Sequence, residues 1–138
     1  MAHTTINGVT HVAFNAKNMQ KTIDFYCNIV GLQHAFTLND ADGSPKIEYL
    51  MLGPNQFIEL FYDNSGDAPV YPVSTNNHIC LCVEDIFEVE RVLNENNIEI
   101  VLPVKGREGA NWQCWCRDPE GNYIEFMYIH PNSAQATS

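Results

Sequence analysis

Positive charge is scarce in this 138-residue chain: seven lysines and arginines stand against 17 aspartates and glutamates, a formal charge of -10. A nucleic-acid backbone would therefore meet repulsion in place of its main attraction, so no nucleic-acid partner is expected. A small-molecule substrate is the expected partner. Long apolar runs are also lacking. No stretch approaches the roughly 20 apolar residues of a membrane span. The opening Met-Ala-His-Thr-Thr-Ile shows neither the basic nor the apolar region of a secretory signal. A soluble cytoplasmic protein with no membrane partner is the expectation. The five cysteines, Cys27, Cys80, Cys82, Cys114 and Cys116, are an odd set without C-x-x-C spacing, which favours reduced thiols over a disulfide framework. Residues two apart on a strand share one cation only awkwardly, so both C-x-C pairs read as small core residues, with Cys80 placed to line a pocket.

What is present is a soluble globular composition, 45% apolar and 17% charged, and a length suited to a single domain over residues 1–138. Residues 8–15 alternate in character and are rich in β-formers, which puts His11, Ala13 and Asn15 on one strand face. Asn18 can cap a helix carrying Met19, Ile23, Tyr26, Cys27 and Val30 at helical spacing, stopped by Gly31. Strands are expected over 32–38, 47–52 and 56–62, separated by strong turn chemistry. A polar stretch over 63–75 reads as a linker. The order then returns: strand 77–83, helix from an Asp85 cap to Asn96 and Asn97, and strands 98–102, 112–117 and 123–129. Lys105, Gly106 and Arg107 fall in a loop of the second half, and the C-terminal tail, with nothing to bury, is expected to be mobile at its end. The fold class is α+β, built from two βαβββ modules at about 8–62 and 76–129.

The repeat carries chemistry. The run starting at His11 ahead of the first helix parallels the run starting at His78 ahead of the second, and the segment around Glu59 parallels that around Glu125. The His-to-Glu separations are 48 and 47 residues. A carboxylate inside an apolar strand is costly to bury unless it is paired, hydrogen-bonded or bound to a cation. If the first and last strands of each module are neighbours in curved sheets, two imidazoles and two carboxylates could serve one cation in an enclosed cavity. Such a set suits zinc or the octahedral preferences of nickel, cobalt, manganese and ferrous iron. Strand parity places Phe57, Phe61, Tyr123 and Met127 on the faces of the glutamates. His3, His34 and His130 have no repeat partner and read as surface or loop residues, and Trp112 and Trp115 as packing aromatics.

From Gly8 to about Ile129 these features, with Asp-Phe-Tyr at Asp24, Gly-Leu at Gly31, Pro-Val-Lys-Gly at Pro103 and Asp-Pro-Glu-Gly-Asn at Asp118, resemble the vicinal oxygen chelate superfamily. Within it the chain is most similar to the glyoxalase I, or lactoylglutathione lyase, branch. The resemblance implies paired βαβββ modules, often as a homodimer, and one divalent ion, nickel or zinc, with manganese, cobalt or iron as alternatives. It implies His11, Glu59, His78 and Glu125 as metal ligands, Glu125 as the shuttling base and Glu59 as the reserve base. The implied chemistry is proton transfer through a metal-stabilised enediolate on a small oxo or hydroxy compound. Asn15, Phe57, Phe61, Cys80, Lys105, Tyr123 and Met127 are the expected substrate contacts. The bacterial lyases carry Arg and Asn, both contacting glutathione, where this chain has Asn15 and Asp63, which disfavours a doubly carboxylated peptide. Other branches imply an epimerase, which usually has Gln at the place of Glu59, a ring-cleaving dioxygenase, or a drug-binding dimer of the bleomycin-resistance kind.

Overall fold

The structure, a computed structural model, describes residues 5–67 and 76–138. His3 and most of the expected linker lie outside them. The chain divides into two compact units, Met1–Gly66 and Asp67–Ser138, and each is built as βαβββ.

In the first module β1 (His11–Ala16) leads into α1 (Met19–Asp24), continued by a π-helical turn over Phe25–Ile29, then β2 (Gln33–Asn39), β3 (Pro45–Gly53) and β4 (Gln56–Tyr62). The Asn18 side chain accepts a hydrogen bond from the Lys21 amide and starts the helix. Gly31, at φ 94°, takes the left-handed conformation that ends it. The expected single helix to Val30 thus loses its α pitch at Phe25, where the Val30 amide donates five residues back to the Phe25 carbonyl. The sheet order is β1-β4-β3-β2, with β1 parallel to β4 and the other pairs antiparallel. Leu50, Ile58 and Leu60 on one sheet face are fully buried, as are Tyr26 and Thr22 of the helical segment.

The second module repeats this with β5 (His78–Cys82), α2 (Ile86–Glu95), β6 (Ile100–Lys105), β7 (Trp112–Arg117) and β8 (Tyr123–Tyr128). Its order is β5-β8-β7-β6, again with a parallel pair, β5 on β8. Asp85 caps α2 through the Phe87 and Glu88 amides. The helix packs across β6, β7 and β8, where Cys114, Cys116, Ile124 and Phe126 are buried along with Ile86 and Leu93. Burial pushes the Cys114 and Cys116 thiols up to about 11 and about 12, so both are neutral core side chains.

Three expectations need correction. Only one C-x-C pair is in the core: Cys80 and Cys82 are exposed, because β5 is an edge strand of its sheet. Lys105 is the last residue of β6, not part of a loop. The strand tolerates Pro103 because it lies at a sheet edge, and Glu90 on α2 accepts from the Val104 amide at 2.9 Å. The C-terminal tail is also structured: Ser133 caps a short α3 (Ala134–Thr137). Asn111 holds the approach to it, accepting from the His130 amide at 2.8 Å and donating to Gln135 at 3.2 Å.

A polar cluster on the helix side of the first sheet was not legible beforehand. Glu48, 6% exposed, accepts from Thr37 at 2.6 Å and Tyr62 at 2.8 Å and lies 2.6 Å from His34 Nε2. Burial acts to raise the Glu48 carboxyl, but the bonds from Thr37, His34 and Tyr62 outweigh it and hold the group below the usual glutamate range. Burial, with the Glu48 bond, pushes the Tyr62 phenol up to about 12. His34 is therefore a surface residue, as expected, but one on a strand and with a buried partner.

A carboxyl lowered by folding contributes stability that is complete above the ordinary glutamate range and is lost as pH falls through its folded value. Glu48→Gln is expected to cost about 1–3 kcal/mol at neutral pH and to flatten the acid limb of the Tm-against-pH curve. Calorimetry from pH 3 to 7 on both proteins checks this. Gly106 offers a second test, because a Cβ there would stand 2.3 Å from the Trp112 ring. Gly106→Ala should lower stability by about 1–3 kcal/mol, measured by urea denaturation.

Candidate metal centre and substrate face

The parallel pairing in each sheet decides what meets what. In the first module His11 lies opposite Phe57, Ala13 opposite Glu59 and Asn15 opposite Phe61. In the second, His78 lies opposite Tyr123, Cys80 opposite Glu125 and Cys82 opposite Met127. The two registers match position for position. Side chains alternate across a sheet, so each glutamate shares a face with its histidine, opposite the helix-side face that carries Ile58 and Leu60 or Ile124 and Phe126.

Both glutamates are buried, Glu59 at 7% and Glu125 at 6% exposure. His11 Nδ1 lies 3.5 Å from Glu59 Oε1, and His78 Nε2 lies 2.8 Å from Glu125 Oε2. Two donors on one ion with bonds of about 2.0–2.2 Å sit about 3 Å apart, so each imidazole–carboxylate pair has the span of an edge in a coordination shell. The donor chemistry fits a borderline divalent cation. Among the described residues no group of three or more His, Cys, Asp and Glu side chains is placed to hold a metal ion. Each module contributes a pair.

The middle strand of each sheet adds a residue that sequence reasoning missed. Tyr49 faces Glu59 and Trp115 faces Glu125 across the antiparallel pairing. A hydrogen bond to Glu59 is the main cause that raises the Tyr49 phenol, with burial and the Glu59 charge behind it. Trp115 lies tilted beside His78, ring centroids 4.5 Å apart, and donates to Gln113 at 2.7 Å. Phe36 stacks on Tyr49 at 4.2 Å and meets Phe57 edge-on at 6.1 Å, giving the first module an aromatic wall. Arg117 lies over the Tyr123 ring at 4.4 Å. The signal available was the repeat itself, which makes Trp115 the counterpart of Tyr49, on strands whose flanking residues share little.

The expected substrate contacts Asn15, Phe57, Phe61, Cys80, Tyr123 and Met127 share faces with the glutamates, and so does Lys105 at the end of the edge strand, opposite Gln113, which is itself opposite Met127. Cys80 is exposed as a residue, but its thiol is desolvated beside Glu125, and both effects push it up to about 12. Asp63 at the end of the first sheet is engaged by Ser65 at 2.6 Å and Lys17 at 3.3 Å. The Ser65 bonds, with smaller help from Lys17, hold its carboxyl below the usual range, so it stays anionic.

Paired βαβββ modules with a His–Glu pair in each define a known class. The chain belongs to the glyoxalase/bleomycin resistance protein/dioxygenase superfamily, whose family model matches residues 8–126. It is 28% identical over 104 residues to the mitochondrial methylmalonyl-CoA epimerase of Dictyostelium discoideum, a match covering 71% of this chain and 62% of that relative's length. It is 27% identical over 124 residues to the lactoylglutathione lyase of Escherichia coli O157:H7, covering 85% of this chain and 89% of the relative. Among solved structures, a glyoxalase family protein from Enterococcus faecalis aligns with a TM-score of 0.69 at 29% identity, covering 88% of this chain and 97% of that one. No helix among the described residues is long and apolar enough to cross a membrane.

Because the Glu59 bond is the main cause of the raised Tyr49 phenol, Glu59→Gln should bring Tyr49 back towards ordinary tyrosine titration and leave Tyr62 high. Ultraviolet difference titration near 295 nm, with Tyr49→Phe as the reference, checks this.

Proposed function

We propose that this chain is a divalent-metal-dependent lyase or isomerase resembling lactoylglutathione lyase. It would move a proton to and from a carbon beside a carbonyl or hydroxyl of a small oxo or hydroxy compound. The observation that carries this reading is the repeat of one His–Glu pair, with a buried carboxylate, at equivalent register in both modules. His11, Glu59, His78 and Glu125 would together hold one ion, nickel or zinc by preference, when the two pairs face each other, within one chain or across a homodimer. A bound divalent cation would polarise the substrate oxygen and lower the barrier to removing the adjacent proton by several kcal/mol.

The residues around that centre have distinct tasks. Glu125 is the base that takes the proton, and the neutral Cys80 thiol beside it adds no competing charge. Glu59 is held by the Tyr49 phenol, which restrains it and makes it the more static of the two carboxylates. Phe36, Tyr49 and Phe57 offer an apolar wall to the substrate body. Asn15 is neutral, and Asp63 is an anion that engages the nearby Lys17, so a glutathione adduct is disfavoured. An epimerase is the second reading, supported by the Dictyostelium relative, and it uses the same proton transfer.

Protein purified without chelator is expected to carry about one divalent metal per chain by elemental mass spectrometry, and Glu59→Ala and Glu125→Ala should both lose it. Wild-type protein that stays metal-free after reconstitution would sink the proposal. For the metal-loaded enzyme, deuterium wash-in from heavy water into hemithioacetals, 2-oxo sugars and 2-methyl acyl thioesters reads proton abstraction whatever the product. Glu125→Gln should slow it by about 10²–10⁴-fold.

A further inference from the structure

The second module carries a cavity that the His78–Glu125 pair does not use. Its volume is about 430 Å³, and its lining includes Glu84, Phe87, Glu108, Trp112, Tyr128 and His130. Trp112 and Tyr128 pair across β7 and β8. By alternation they share the helix-side face of the sheet with Cys114 and Phe126, whereas Glu125 and Trp115 lie on the other face.

The walls are aromatic and the charge is of one sign. Phe87, in the first turn of α2, is 60% exposed, and its ring stands 5.6 Å from that of Trp112. Among the large apolar side chains of the described residues only Ile6 and Val9 are more exposed; what sets Phe87 apart is that it stands beside a second aromatic at the mouth of a cavity. Trp112 is held where it is by Gly106, whose missing Cβ lets the indole lie against the backbone. No Lys or Arg side chain lines the cavity. The helix N-terminus beside it would ordinarily attract an anion. Here, however, Asp85 already takes the Phe87 and Glu88 amides, and Glu88 is paired with Arg91. The charged residues in the lining are Glu84, Asp85 and Glu108, so the charge that the described residues place at the rim is negative.

We infer that this cavity binds a small organic cation with an apolar body, the ammonium group against the Trp112 and Phe87 faces and the Glu84 and Glu108 carboxylates. Aromatic faces attract cations through their quadrupole, and nearby carboxylates add Coulomb attraction while excluding anions of the same shape. This site is independent of the metal reading.

The chain's two tryptophans make the test internal, since one lines the cavity and the other stands on the opposite face beside His78. Their indole N–H signals in ¹⁵N-labelled protein, assigned with Trp112→Phe and Trp115→Phe, are followed during titration with benzyltrimethylammonium. Benzyl alcohol and benzoate serve as neutral and anionic controls. The expected result is a saturable shift of the Trp112 signal only, absent with benzoate and much weaker with benzyl alcohol. Binding should weaken roughly tenfold in Glu84→Gln/Glu108→Gln, the scale of two partly exposed charge pairs, and about fivefold in Phe87→Ala. A shift at Trp115 in place of Trp112, no saturable shift, or equal affinity for benzyl alcohol would overturn the inference. So would sedimentation showing that Phe87→Asp turns a dimer into a monomer, because a second copy would then be the occupant.

Discussion

A carboxylate held in the middle of an apolar strand is the constraint around which each module is arranged. Glu59 and Glu125 sit between fully or nearly fully buried neighbours, Ile58 and Leu60 in one case and Ile124 and Phe126 in the other. In such surroundings an unpaired charge would be expelled or neutralised. The module resolves this by bringing its first strand alongside its last in parallel, so that an imidazole reaches the carboxylate, and by placing Tyr49 or Trp115 on the middle strand next door. The helix on the other face, with its capping and its stop, serves to make that parallel return possible, because parallel neighbours need a crossover.

The same constraint separates two kinds of buried acid in the first module. Glu48 and Glu59 are both nearly inaccessible and lie on β3 and β4, yet they face opposite sides of the sheet. Glu48 is closed off by Thr37, Tyr62 and His34, a satisfied network with nothing left to offer a ligand. Glu59 has a half-exposed histidine at 3.5 Å and a tyrosine, and it keeps capacity for another partner. Burial alone therefore does not mark a functional acid. In the proposed function it is the capacity left for a further partner that separates Glu59 from Glu48.

Much of the architecture was legible in the sequence because it is written twice. The repeat fixed the element order, and β4 and β7 fall at the predicted residues. The His and Glu positions followed from spacing and period-two alternation. What escaped were features that depend on pairing across the sheet. Tyr49 and Trp115 differ in type and have unlike neighbours, so only the register shows that they stand against equivalent glutamates. His34 has no counterpart in the second half, and its partner lies 14 residues away on a neighbouring strand. The π turn at Phe25 leaves no periodic signature over so short a span. The tail helix relies on Asn111, which sits ahead of β7 with all of β7 and β8 between them, and no local pattern announces that reach.

The strand order also bears on how each module is made. Strands two, three and four of a module are joined by short turns and can zip as a meander, but the first strand must wait for the last one to exist before it can dock beside it. That contact closes a loop through the whole module, from β1 round to β4 or from β5 round to β8, the most expensive in entropy and therefore the slowest. The histidine rides on that late strand and the glutamate on its dock, so the two donors meet only when the final β pairing has formed. The imidazole–carboxylate pair thus forms last, and a chain halted at the meander stage would expose the edge of β4 or β8 with its glutamate not yet met by the histidine.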